Sequence, residues 1–214
     1  MKMKHLIKKS LLLVALMAPI VAMAYDFEVN GIAYRTDLWG DYAIVCDWGD
    51  EGVHYTGVVT IPESVTNDDT TYPVTKIGAY AFAESSELTG VNIPATITEI
   101  EDHAFENCSG LASLSIPETV TTIGSRAFVG CTQLTSIDIP AGVTEFGIWA
   151  FLNCDKLSDV YCHISDPSAI DLGSFTFSLD SEEYSGRTLH VPAGNVDAYK
   201  ASDWAEYFSK IVEL

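Results

Sequence analysis

The apolar positions of this chain repeat every 23 residues between Ile77 and Cys162. Each copy opens with an apolar residue, continues with an Ala-Phe pair, and then has a leucine followed by apolar residues three and five positions later. Four copies follow one another without an insertion, and they start at Ile77, Ile100, Ile123 and Phe146. Self-similarity at a fixed period of this length predicts a solenoid, in which each coil covers the apolar side of its neighbour.

The last part of each copy predicts a β-strand. Apolar and polar residues alternate there, as in Val91-Asn92-Ile93, with the period of a strand that has one buried face. Proline follows in three copies, and it ends the strand because it donates no ladder hydrogen bond. The segment around Ala-Phe lacks a β-branched run in most copies, which predicts a short helical or 3-10 turn. The fold class predicted is therefore an α/β solenoid with a parallel β-sheet on one face.

The phenylalanines of the Ala-Phe pairs are predicted to form one buried column. Equivalent residues of stacked coils lie about 4.8 Å apart when the coils pair as parallel strands. The column comprises Phe82, Phe105, Phe128 and Phe151.

One repeat resembles a known family. The string Ile-Gly-Ser-Arg-Ala-Phe-Val-Gly-Cys-Thr-Gln-Leu-Thr-Ser-Ile-Asp-Ile-Pro at 123–140 closely resembles the BspA-like leucine-rich repeats of bacterial secreted and surface proteins. The resemblance covers 58–163 strongly and extends more weakly to 192. It implies a curved, right-handed solenoid that works by binding, often to host or surface proteins, and it implies no conserved catalytic residue.

Residues 1–24 are predicted to be a cleavable signal peptide. Four lysines precede the apolar run Leu11–Val21, and Ala22-Met23-Ala24 fits a cleavage site. The apolar run is too short to span a bilayer, so no membrane insertion is predicted. The mature protein is expected to begin near Tyr25 and to be secreted or displayed at the cell surface.

The remaining chain divides into three parts. Residues 25–76 are predicted to form an N-terminal β cap with a first partial repeat, because Asn30-Gly31 lies between apolar alternations that indicate a hairpin. Residues 77–163 hold the four repeats. Residues 164–214 are predicted to form a degenerate repeat and a short helical C-terminal cap.

The chain is strongly acidic. It has 30 Asp and Glu against 11 Lys and Arg, a net charge of −19, and removal of the four signal-peptide lysines lowers this to −23. Nucleic acid and anionic membrane are excluded as partners, because both require a basic surface. Two interpretations remain open: the charge keeps an exported protein in solution, or it attracts a basic partner.

The five cysteines are predicted to be buried free thiols. Three of them, Cys108, Cys131 and Cys154, occupy one repeat position, where stacked side chains point the same way and cannot bridge. An odd total also leaves one cysteine over. Export nevertheless permits disulfides, so that alternative remains open.

The sequence indicates no metal site, no cofactor and no enzyme. A zinc site needs closely spaced Cys or His residues, and Cys162-His163 is the only adjacent pair of these two types. The acidic residues Glu99, Glu101 and Asp102 lack a calcium-loop spacing, and a solvated edge is the favoured interpretation. The chain also lacks a P-loop, a Gly-x-Ser-x-Gly sequence and a dinucleotide-binding fingerprint.

Two surfaces are candidates for binding. The first, called here the strand strip, is the outward face of the predicted sheet, which is small and polar with one aromatic residue: Asn92, Ser113, Ser115, Ser136, Asp138, Asp159 and Tyr161. The second, called here the turn column, is the position before each Ala-Phe pair: Tyr80, His103, Arg126 and Trp149. Trp, Tyr and Arg dominate protein-binding hot spots, so Trp149 is a plausible anchor. Ordinary surface variation between copies is the alternative.

The leading function is an exported repeat scaffold for protein–protein or cell-surface (adhesion-type) interaction, with an extracellular or cell-surface protein as partner. The alternative is an extracellular glycan-binding module, for which Tyr161, Trp149 and Trp39 are the candidate aromatic residues. No group of residues supports an enzyme.

A thiol count tests the cysteine prediction. Unfolded, non-reduced protein should react with five equivalents of a thiol reagent per chain, because every cysteine is expected to be free. A count of one, with five recovered after reduction, would instead indicate two disulfides.

Overall fold

The computed structural model describes residues 25–47, 54–177 and 186–214. The predicted signal peptide lies outside these residues. The strands are β1 Phe27–Val29, β2 Ile32–Thr36, β3 Ala43–Val45, β4 Gly57–Thr60, β5 Ser64–Asn67, β6 Thr70–Ile77, β7 Leu88–Asn92, β8 Glu99–Ile100, β9 Thr122–Ile123, β10 Ser136–Ile139, β11 Glu145–Phe146, β12 Asp159–Cys162, β13 Asp171–Leu172, β14 Thr188–Val191 and β15 Lys210–Glu213. The helices are α1 Val196–Lys200 and the 3-10 helices Pro167–Ala169 and Asp203–Glu206.

The first described strands form an antiparallel hairpin. Strands β1 and β2 pair with Val29 opposite Ile32. Asn30 and Gly31 between them have φ values of 53° and 78°, which suits a two-residue hairpin turn. Strand β2 then pairs with β3, and β3 pairs in parallel with β6, which leads into the repeats.

A first parallel sheet joins the beginnings of the repeats, where the sequence predicts no strand. Its order continues from β6 through β8, β9 and β11 to β13. Each of these last four strands has two residues, which is too short for an alternating pattern to be visible in the sequence. Each contributes one apolar residue near the core: Ile100, Ile123 and Phe146 are buried, and Leu172 packs against it.

The predicted strands at the ends of the repeats are present in three of the four copies. β10, β12, β14 and β15 form a parallel sheet, and β7 pairs in parallel with β4. The second copy differs, because its only pairing is a single bridge from Ser115 to Asp138. Its residues 112–115 read Ala-Ser-Leu-Ser and contain no β-branched side chain, which explains the weak strand. The predicted sheet is therefore interrupted at this copy.

The opposite side of each coil consists of consecutive turns, so the predicted helical or 3-10 turns are wrong for residues 77–163, all of which the structure describes. Alternate N–H groups bond within the coil, as Ala81 does to Gly78 at 3.1 Å. The others bond to the next coil, as Phe82 does to the Ala104 carbonyl at 2.8 Å. A helix cannot form here because half of its N–H donors are bonded to the neighbouring coil.

The predicted phenylalanine column is confirmed. Successive rings of Phe82, Phe105, Phe128 and Phe151 have centroids 5.0, 5.2 and 5.1 Å apart and planes within 5° of parallel, and all four are fully buried. Phe177 adds a fifth ring 5.2 Å beyond Phe151. Phe208 and Trp204 then contact Phe177, so the C-terminal segment covers the last ring.

All five cysteines are buried free thiols. The thiols of Cys108, Cys131 and Cys154 each donate a hydrogen bond to the phenylalanine carbonyl of the preceding coil, at 3.0, 3.3 and 3.2 Å. Burial raises the pKa of Cys108 to about 12. The column therefore consists of neutral thiols that link adjacent coils.

Arg187 is a structural residue that sequence reasoning missed. Its side chain is buried and its three nitrogens donate to the carbonyls of Leu157, Phe177 and Cys154 at 3.1, 2.8 and 3.2 Å. It satisfies backbone acceptors where the repeat becomes irregular. A single arginine in a degenerate segment gives no periodic signal.

Removal of one ring from the column tests the packing. Phe128→Ala should lower the free energy of unfolding by about 3–5 kcal/mol, because the cavity is enclosed by the rings of Phe105 and Phe151. Chemical denaturation measures the change. An unchanged denaturation midpoint would contradict the packing role.

Glycine at the second position of three copies allows close stacking of coils; the remaining copy has Glu101 there. A Cβ atom at Gly147 would lie 2.1 Å from the Ser125 nitrogen, whereas one at Gly90 would lie 3.7 Å from Val58. Gly147→Ala should therefore lower the free energy of unfolding by about 1–3 kcal/mol or more. Gly90→Ala is the matched control and should unfold at nearly the wild-type midpoint; equal losses would contradict the steric explanation.

Candidate binding surfaces

The strand strip is divided by the break in the sheet. Ser136 and Asp138 lie on β10, in register with Asp159 and Tyr161 on β12, so the structure brings these four together. Asn92 lies on β7 and its amide donates to Thr60 Oγ1 at 2.9 Å, away from that group. Ser113 and Ser115 are exposed in the irregular second copy.

Tyr161 lies beside two imidazole–carboxylate pairs, and these five side chains are called here the Tyr161 cluster. The Tyr161 ring stacks on His190 of β14 with centroids 4.4 Å apart. His190 Nε2 lies 2.8 Å from Asp159 Oδ1, and His163 Nε2 lies 2.6 Å from Asp138 Oδ1. Two imidazole–carboxylate pairs thus flank one tyrosine on an accessible sheet face.

Sequence reasoning missed the two histidines of this cluster. His190 lies in Thr188-Leu189-His190-Val191, where alternation places it on the same face as Tyr161. His163 follows Tyr161 by two residues, which also indicates one shared face of a strand. Extension of the outward positions beyond the proline-terminated repeats would have included both.

Hydrogen bonding perturbs one carboxylate of the cluster. The hydrogen bond from His190, followed by that from Ser158 at 2.7 Å, lowers the pKa of Asp159 below its ordinary value, because both favour the ionised form. A lowered pKa stabilises the fold above the ordinary carboxyl pKa, and this contribution is lost as the pH falls through the lowered value.

The turn column is a set of planar side chains on a left-handed backbone. Its four residues have φ values of 57–61°. Tyr80 stacks on His103 at 4.4 Å, and the Arg126 guanidinium lies 5.2 Å from the centroid of the Trp149 ring. Glu106 joins the two pairs, because its carboxylate lies 2.5 Å from His103 Nδ1 and 3.2 Å from Arg126 Nη2.

The turn column is less exposed than its variability suggests. Tyr80 is 48% exposed, but the other three residues are partly buried. Phe175 continues the column at the equivalent position of the next coil, with φ 57° and 46% exposure, and sequence reasoning missed it there. These side chains contact one another along the solenoid, so part of their role is to pack the turn side.

Trp39, a candidate for glycan binding, lies far from both surfaces in sequence and is 85% exposed. Its loop is held by Asp37, whose carboxylate accepts hydrogen bonds from the backbone N–H groups of Trp39, Asp41 and Tyr42. Partial desolvation raises the pKa of Asp37, but these hydrogen bonds outweigh it, and the net pKa is lowered. The loop therefore presents Trp39 on an ordered backbone.

The acidic residues near Glu99 line a groove of about 440 Å³ across β8, β9 and β11. Glu99 pairs with Lys76. Glu101 accepts from the Ala79 N–H at 3.0 Å, and Asp102 accepts from the Ser125 N–H at 2.7 Å. These carboxylates link coils, and across the described residues no group of three or more His, Cys, Asp or Glu is placed to hold a metal ion.

Comparison with known sequences identifies the repeat. The protein-family model described as "BspA type Leucine rich repeat region" matches residues 60–181 with six copies of the repeat, which is more than half of the chain. The chain belongs to the BspA-type leucine-rich-repeat family. A search of curated proteins gives no match.

Solved structures of leucine-rich-repeat proteins share the fold. A protein from Bacteroides capillosus is 30% identical over 64% of this chain and 96% of its own, with a TM-score of 0.55. The T. pallidum leucine-rich-repeat protein is 22% identical over 88% of this chain and 82% of its own, with a TM-score of 0.63. The pneumococcal vaccine antigen PcpA is 18% identical over 81% of this chain and 51% of its own, with a TM-score of 0.55.

Among the residues that the structure describes, no helix has the length and apolar character required to cross a membrane.

A titration of Asp159 tests the electrostatics of the Tyr161 cluster. Carboxyl chemical shifts should give an Asp159 pKa below the ordinary aspartate value, and His190→Ala should raise it, because the first cause of the shift is removed. An Asp159 titration that His190→Ala leaves unchanged would contradict this assignment.

Proposed function

We propose that this BspA-type protein is an exported scaffold that binds an extracellular or cell-surface protein through the Tyr161 cluster, without chemistry of its own. The observation that supports this best is the arrangement of Tyr161, Asp138, Asp159, His163 and His190. These accessible side chains hold one another in place, while the core beneath them is formed by other residues.

Preorganisation is the physical reason for choosing this surface. A partner that binds side chains already fixed in position loses less conformational entropy than one that binds mobile side chains. Tyrosine provides a large contact area with few rotatable bonds, and it is enriched in binding hot spots. The Tyr161 cluster offers both, whereas the serines of the strand strip offer neither.

The turn column is proposed as a second contact surface. Tyr80 and Phe175 are half exposed, and Arg126 and Trp149 are residue types that supply binding energy when a partner covers them. Its internal contacts mean that substitutions there affect packing as well as binding.

The two end segments are proposed to be caps, and the protein is proposed to be exported. Residues 25–76 and 164–214 are proposed to cap the two ends of the repeats at 77–163, because β6 of the first pairs in parallel with β8 of the repeats and the second covers Phe177. Export is proposed from the signal-like residues 1–24. Leucine-rich repeats of this family are generally non-catalytic scaffolds, which supports binding over catalysis.

Glycan binding is the second candidate function. Its support is Trp39, which is 85% exposed on a loop ordered by Asp37. Sugar rings stack on exposed aromatic faces, so this site would act independently of the Tyr161 cluster.

Paired binding assays separate the candidates. Immobilised protein is probed with purified extracellular proteins and with a glycan array, using the wild type, Tyr161→Ala, Trp149→Ala and Trp39→Ala. Under the proposed function, Tyr161→Ala should weaken capture of a purified protein at least about tenfold, as expected for a hot-spot residue. Trp39→Ala is the matched control, since it removes an exposed aromatic residue elsewhere.

Other outcomes would contradict the proposal. Glycan binding lost only with Trp39→Ala would favour the second candidate. Protein capture that survives Tyr161→Ala but is lost with Trp149→Ala would place the interface on the turn column.

A further inference from the structure

Planar side chains of adjacent coils stack on one another at three places on this surface. Tyr80 stacks on His103 at 4.4 Å, Tyr161 stacks on His190 at 4.4 Å, and the Arg126 guanidinium lies 5.2 Å from the Trp149 ring centroid. These separations are equal to or slightly shorter than the 5.0–5.2 Å between rings of the phenylalanine column. The coil spacing therefore suits one planar group per coil.

Among the residues that the structure describes, the Tyr161 ring is stacked on one face. Its strand, β12, lies between β14 and β10, and the ring stacks on His190 of β14. The opposite face of the ring is therefore turned toward β10, where the register partner is Asp138. Asp138 has no ring and its side chain is more than half exposed, while its Oδ1 contacts the His163 imidazole. The solvent-exposed position over Asp138, beside the Tyr161 ring, is called here the gap.

We propose that this gap takes the guanidinium of an arginine from a basic protein partner, stacked on Tyr161 and paired with Asp138. The inference rests on the proposed function and names the chemistry of the partner. An arginine plane would continue the row that His190 and Tyr161 begin, one coil spacing from the Tyr161 ring.

Arginine fits this gap better than other side chains. A guanidinium is attracted to the face of an aromatic ring and also donates to a carboxylate, and its planar shape allows both at once. Asp138 Oδ1 contacts His163, and Oδ2 is the second acceptor of the same carboxylate. A neutral aromatic group would instead place its electron-rich face near the carboxylate, which is unfavourable.

The charge of the chain agrees with a cationic partner. The protein carries 30 acidic against 11 basic side chains, and Asp159 and Asp138 both lie within the cluster. Long-range attraction would draw any cationic partner toward the surface, but it does not distinguish arginine from lysine. Stacking on Tyr161 combined with pairing to Asp138 predicts a preference for arginine over lysine.

Two peptides of equal charge test the inference. Acetyl-Gly-Gly-Arg-Gly-Gly-amide and its lysine counterpart are titrated into isotope-labelled protein, and amide shifts near residues 138 and 161 report binding. The arginine peptide is expected to bind about fivefold more tightly, because a guanidinium stacks on the ring and pairs with the carboxylate at once, whereas an ammonium does not stack. Tyr161→Leu should abolish the preference, and Asp138→Asn should weaken arginine binding. Trp39→Leu, which removes an exposed aromatic residue elsewhere, should leave both affinities unchanged.

The outcomes separate this inference from the function on which it rests. Equal affinity for the two peptides, or a preference retained in Tyr161→Leu, would overturn the arginine site. If Tyr161→Ala still abolishes capture of a protein partner in that case, the proposed function stands and only its arginine chemistry fails. Thermal unfolding of each variant confirms that the fold is intact.

Discussion

The structure depends on the close stacking of equal-length coils. Each Phe ring lies 5.0–5.2 Å from the next and nearly parallel to it, so no coil has a complete core of its own. The surrounding features follow from this spacing. Glycine is the second residue of three copies, where a Cβ would collide with the backbone of the adjacent coil. Each buried thiol of the cysteine column reaches a carbonyl one coil away. The same spacing fixes how far apart surface side chains lie.

Residues at equivalent positions of successive copies are of two physical kinds, those that point into the core and those that point to solvent. Inward columns are nearly constant, because a substitution is felt by both neighbouring coils. Outward columns vary, and their members bond along the solenoid where their chemistry allows it. Tyr80 with His103, Arg126 with Trp149, and Tyr161 with His190 are examples. The surface residue of one coil therefore contacts that of the next coil at these places. A binding surface is assembled from several coils.

The period of the sequence was sufficient to predict the solenoid, the buried phenylalanines and the strands of β7, β10 and β12. It did not predict the turn side, because the apolar pattern of Gly-x-x-Ala-Phe is compatible with a helix and does not show where the N–H groups bond. It also missed β8, β9 and β11, which have two residues each. The strand strip was predicted in register, but His163 and His190 were missed because they lie where the repeat has lost its proline or its length. Arg187 acts through buried carbonyls and has no equivalent in the other copies.

The alternation of hydrogen bonds on the turn side limits how such a protein can change in length. Every second N–H there is bonded to the following coil, and the intervening ones close local turns. Insertion of a single residue would exchange these two roles for the rest of the coil, and donors would then face the wrong partners. Evolution can lengthen or shorten this surface only in whole coils, so the number of side chains available to a partner grows in fixed steps.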